Sequence, residues 1–181
     1  MDQIEIAQRL KTRLDFDGMV ELSFLTANEN VRCEDLIDLC GHPDQQVAFR
    51  ASWVLEFFAA SKSEIFLKHL SQFLTLYPKI CNQSVQRSFT KILMLLTERK
   101  FMLAQKLNPT IFDECLSASF DWLINPKTPV AVQANALDVI FQLSPYHDWI
   151  LEELKVILEQ KLTSGSPALI SRAKRVLKKI A

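Results

Sequence analysis

The residues of this 181-residue chain best suited to ligation or nucleophilic chemistry are four cysteines (Cys33, Cys40, Cys81, Cys115) and three histidines (His42, His69, His147). Cys33-x6-Cys40-x-His42 has the right residue types for a metal, but it is one ligand short and spaced unlike common zinc sites. These cysteines read instead as buried structural thiols. Without a CxxC pair or the density of a disulfide scaffold, they fit a reduced, cytoplasmic setting. Glu152-Glu153 and Asp113-Glu114 are adjacent carboxylates. Neighbours on a helix point to different sides, so neither pair can share a proton as an acid and a base would. No histidine has a serine or cysteine that spacing nominates as a nucleophile. His147, in Pro145-Tyr146-His147-Asp148, is placed at a helix start. Three glycines cannot build a glycine-rich phosphate loop, which excludes nucleotide binding by that route. No catalytic residue, metal or cofactor is expected, and the chain reads as a non-enzyme.

Composition describes an ordinary globule, 49% hydrophobic and 23% charged. A chain this long can bury roughly 70% of its unfolded surface in one domain. The formal net charge of zero speaks against a protein built mainly to hold nucleic acid. It conceals an asymmetry: residues 1–45 carry a balance of −6 and residues 46–181 one of +6. The last ten residues hold Arg172, Lys174, Arg175, Lys178 and Lys179 and no acid. Such charges usually mark solvated faces, cations being favoured near a helix C-terminus; a docking patch for an acidic partner is the alternative. No apolar run approaches the length of a membrane span, and the acidic start MDQIEIAQRL is unlike a secretory signal.

Apolar residues recur at three- and four-residue spacing almost everywhere, the mark of helix. Residues about 2–14 and 17–27 form a first pair. A short helix follows at about 32–40, stopped by Gly41 as a left-handed residue, with Pro43 opening the next. From Asp44 one amphipathic pattern returns four times, with apolar residues at positions 0, 4, 7, 8 and 11. These are Val47, Ala51, Val54, Leu55 and Phe58, then Val85, Phe89, Ile92, Leu93 and Leu96. The third set is Val132, Ala136, Val139, Ile140 and Leu143, and the fourth Leu169, Ala173, Val176, Leu177 and Ile180. The copies begin 38, 47 and 37 residues apart. Another helix precedes each later copy, at about 63–77, 110–124 and 148–162, and an insertion at Glu98–Asn108 accounts for the long interval. The unit is an antiparallel helix pair, which must stack on neighbours to bury its stripe. Trp122 and Trp149, on first helices, are expected in the core.

The pattern Asp44-Val47-Ala51-Val54-Leu55, with Leu169-Ala173-Val176-Leu177, resembles the second helix of a HEAT or armadillo-type repeat. The resemblance spans about residues 30–181. It implies an all-α, right-handed α-α superhelix, a HEAT/ARM-like solenoid of about five helical pairs in one domain, 1–181. Within it, 1–30 is a divergent N-terminal pair, 31–60, 63–97, 109–143 and 148–181 are repeat units, and 98–108 is the insertion. The chain departs from the family where an arginine often follows the first valine: Ala48, Gln86, Gln133 and Ile170 stand there.

The resemblance further implies that second helices line a concave face where partners bind. Positions 3, 6 and 10 point away from the stripe, nominating Arg50, Trp53, Phe57, Lys91, Asp138, Arg172, Arg175 and Lys179 as partner-binding residues. Aromatic residues beside arginine are typical of binding hot spots. The expected function is a non-catalytic scaffold or adaptor for a protein partner, with no membrane role. The alternative is a nucleic-acid-binding protein similar to the HEAT-like glycosylases of alkylated DNA bases, in which Asp138 and the restriction of cations to the last copy are unfavourable. The chain is expected as a monomer or weak homodimer, since Ile180-Ala181 leaves the last helix without a polar cap.

Overall fold

A computed structural model describes residues 1–12 and 14–180, with Ser164 by its backbone alone. Every regular element among the described residues is helical. The chain divides into two compact units, Met1–Ile92 and Leu93–Ala181.

In the first unit, α1 (Gln3–Lys11) opens with a capping box: Asp2 Oδ1 accepts from Glu5 N and Glu5 Oε2 from Asp2 N. This satisfies two of the donors a helix start leaves over. Asp15 caps α2 (Phe16–Ala27) by a single bond, its Oδ1 accepting from Gly18 N, with no side chain at Gly18 to return it. Then come α3 (Cys33–Leu39) and α4 (Gln45–Ser61). α1, α2 and α3 all pack on α4. That is why α4 buries Ala48, Ser52 and Ala59 in addition to its five register residues. Small side chains there let the three neighbours approach.

Two local expectations need correction at the α3–α4 junction. No glycine has positive φ, so Gly41 does not end α3 by left-handed geometry; its N–H instead closes a turn onto Asp38 O at 2.9 Å. Pro43 lies before the cap, and Asp44 opens α4 by accepting from Gln46 N and Val47 N.

The helix expected at 63–77 is divided into α5 (Ser63–Phe66), a 3₁₀ turn (Leu67–His69) and α6 (Leu70–Leu76), followed by a second turn (Tyr77–Lys79). Phe66, Leu70, Phe73 and Tyr77 nevertheless stay buried. The three aromatic ones, Phe66, Phe73 and Tyr77, join Phe58 and Phe89 in a run of edge-on and tilted ring contacts, 4.8–6.4 Å between centroids. This stacking holds the first unit's centre together. Asn82 caps α7 (Gln83–Leu96), its Oδ1 repeating the Asp44 pattern on Ser84 N and Val85 N.

In the second unit the insertion forms α8 (Arg99–Gln105), closed by left-handed Lys106 at φ 53°. A 3₁₀ turn (Pro109–Phe112) leads into α9 (Asp113–Ile124), which pairs with α10 (Val130–Leu143). Beyond a turn at Ser144–Tyr146, α11 (Ile150–Ser164) pairs with α12 (Pro167–Ile180), and α12 also packs on α10. Trp122 is buried as expected, but Trp149 is not: it is 50% exposed. It lies in the link before α11 as its N-cap and so off the helix's apolar stripe.

The repeat register holds. Val47, Val85 and Val132 are fully buried and Leu169 nearly so. Only Leu177 and Ile180, in the last turn of α12, are half-buried among the twenty register positions. Gln86 and Gln133, the residues that replace the family's arginine, are buried and do one job in both units. Gln86 Nε2 donates to Ile80 O at 2.9 Å, and Gln133 Nε2 to Thr128 O at 2.7 Å. Each side-chain amide thereby satisfies a carbonyl of the loop entering its own helix, a group that would be costly to bury unpaired.

Candidate functional site

The outward positions of α4 meet other parts of the first unit. Arg50 donates from Nη1 to Leu10 O and Lys11 O at 2.7 and 2.9 Å. It thus covers carbonyls that the end of α1 cannot satisfy, with its charge at the favourable end of that helix's dipole. Phe57 meets Phe16 edge-on at 6.2 Å. Trp53 stacks parallel on Phe49, with centroids 6.4 Å apart and planes 5° from parallel.

Phe49 and Trp53 form the wall of a groove of about 300 Å³, completed by Glu56 from α4 and by Arg87, Ser88 and Lys91 from α7. Phe49 is 43% exposed. Lys91 Nζ reaches Glu56 Oε1 at 2.6 Å, an exposed pair, whereas Arg87 has no ion pair among the described residues. Of the residues nominated from sequence, then, the fold brings Trp53 and Lys91 to one site. Sequence reasoning missed Phe49 and Arg87. The available signal was Phe49-x3-Trp53-x2-Glu56, a stripe at i, i+4, i+7 that shares a helix face one position away from the face chosen.

Asp138, Arg172, Arg175 and Lys179 gather in the second unit. Asp138 is 9% exposed on α10, ion-paired to Arg172 Nη1 and held by Arg175 Nη2 at 3.2 Å. Burial pushes the Asp138 carboxyl above its ordinary range, and the two guanidinium groups beside it pull the other way. Lys179 Nζ lies 5.6 Å above the Phe141 ring. The basic face of α12 is therefore partly neutralised by its own unit, and this arrangement ties α12 to α10.

The thiols do structural work. Burial, helped by Glu34 and Glu114 respectively, pushes Cys33 and Cys115 up to about 12. Burial also raises Cys40 well above the ordinary thiol range; its Sγ donates to Leu36 O, and His42 Nδ1 accepts from Asp44 N. Thiols held protonated are poor nucleophiles and poor ligands. Cys81 alone of the four is exposed. Among the described residues no group of three or more His, Cys, Asp or Glu is placed to hold a metal ion. No helix among them is long and apolar enough to cross a membrane.

A comparison with curated proteins returned no match. The family described as HEAT repeat domain matches residues 6–180, nearly the whole chain. With its all-α fold and its four-fold buried register, the chain belongs to the HEAT-repeat family.

Proposed function

We propose that this chain is a non-catalytic protein-interaction scaffold, and that the groove between α4 and α7 is a surface through which it holds a partner. One observation carries this reading: a parallel Phe49–Trp53 pair stays open on the wall of a groove whose free charge is cationic. Stacked aromatics beside an arginine offer large contact area at low ordering cost, the pattern of binding hot spots. The fitting occupant is a partner segment with an apolar anchor flanked by Asp or Glu. A nucleic-acid reading has weaker support, because Arg172 and Arg175 already face Asp138.

The test is quantitative recovery of partners by the tagged chain and by a Phe49→Ala/Trp53→Ala variant, with Phe24→Ser as a control. Phe24 is exposed elsewhere in the first unit. Loss of the same proteins from the groove variant, but not from the control, supports the reading. Equal recovery by all three overturns it.

A further inference from the structure

The second unit contains another cleft, of about 440 Å³, between α9 and the link into α11. Asp113, Leu116, Phe120, Asp121, His147 and Trp149 line it. Phe120 and Trp149 lie 5.5 Å apart at 30°, an aromatic corner of which the indole is half open to solvent. Asp113 and Asp121 are two helical turns apart on α9 and both exposed, and Asp121 has no ion pair among the described residues. His147 Nε2 is 3.2 Å from Asp113 Oδ1 but off the hydrogen-bonding direction. It is the one buried side-chain nitrogen or oxygen among the described residues without a hydrogen bond.

The two segments that frame the cleft carry only acidic formal charge. Segments 113–121 and 148–153 contain Asp113, Glu114, Asp121, Asp148, Glu152 and Glu153 and no lysine or arginine. An aromatic face next to exposed carboxylates is what a cation seeks: the ring quadrupole and the carboxylates attract it together. A planar guanidinium satisfies both better than an ammonium, since it stacks on indole and presents a fork to a carboxylate.

We propose that this cleft binds an arginine side chain of a partner polypeptide, its guanidinium stacked on Trp149 and bonded to Asp113 or Asp121. The site is separate from the α4–α7 groove, and the inference stands whether or not that groove holds a partner.

Two-dimensional amide spectra of the full chain, titrated with a capped Gly-Gly-Arg-Gly-Gly peptide, test it. The Trp149 indole N–H and the amides of Phe120 and Asp121 should shift saturably. The same peptide carrying citrulline, neutral but nearly the same shape, should move none of them. Trp149→Ala should raise the Kd roughly tenfold. Asp113→Asn/Asp121→Asn, which keeps side-chain shape, should raise it several-fold with the remaining spectrum unchanged. Equal shifts with citrulline, shifts centred on other residues, no saturable response, or an unchanged Kd in the Asn variant would each overturn the proposal.

Discussion

The two units set the same kind of anchor in opposite electrostatic surroundings. In the first, Phe49 and Trp53 stand beside Arg87 and a lysine already paired with Glu56. In the second, Phe120 and Trp149 stand among carboxylates. Beneath both anchors lies the same scaffold: a register of buried valine, alanine and leucine, and a buried glutamine holding the entry loop. The shared scaffold supplies rigidity, and the side chains just outside the register set the sign of what could be bound. A helical-repeat chain can thus diversify its surface without altering its core.

That division between scaffold and surface can be broken most forcefully from below. Phe89→Ala in the first unit should cost about 3–5 kcal/mol and Ile140→Ala in the second about 2–5 kcal/mol, measured by urea unfolding. Trp149→Ala and Arg87→Ala should stay within about 1 kcal/mol of the parent. If those surface variants were as costly as the core ones, the clefts would be parts of the core and the comparison would collapse.

The glutamines come next. Gln86→Leu and Gln133→Leu each strand a loop carbonyl, at about 1–3 kcal/mol. The second change should be the worse, because Gln133 Oε1 also accepts from Lys161 Nζ at 2.9 Å. Equal losses would mean that the lysine finds water as readily as the amide. Reversing the groove charge with Lys91→Glu should move stability less still, since an exposed pair contributes about 0.2–1 kcal/mol. A thermal melt distinguishes these tiers.

Acid response provides the finest contrast. Hydrogen bonds from Gln46 N and Val47 N hold Asp44 in the first unit below the ordinary carboxylate range. Its contribution is complete above that range and lost as pH falls through its folded value, so Asp44→Asn should flatten the acid side of the stability curve. Asp138 in the second unit has the opposite sense. Its folded carboxyl is raised, so its contribution is greatest at low pH and fades as pH rises through the folded value. Asp138→Asn should remove that decline, and a decline that persisted in the variant would reassign the titrating group.

The helix order and the buried stripe were legible because both depend on spacing within one helix. Val85, Phe89, Ile92, Leu93 and Leu96 declare their common face whatever surrounds them. Spacing also showed which residues leave the core, but not what meets them there. Arg50 faces outward from its helix and is then met by carbonyls about forty residues earlier in the chain. Asp138 likewise leaves the stripe only to be covered by α12. Trp149 was misplaced for another reason: the turn at Ser144–Tyr146 and the extended His147 delay the start of α11 beyond the tryptophan. Phe49 and Arg87 each stand one position of helical rotation, about 100°, beside the nominated positions, although Trp53 and Lys91 at those positions share the groove with them.

The contrast among the thiols also offers a practical handle. Three are shielded and held protonated, while Cys81 stands in the open next to the asparagine that starts α7. A maleimide dye offered to the native chain should therefore attach at a single address. Reporting from the threshold of the helix that carries Arg87 and Lys91, it would let occupancy of the first unit be followed without any engineered mutation.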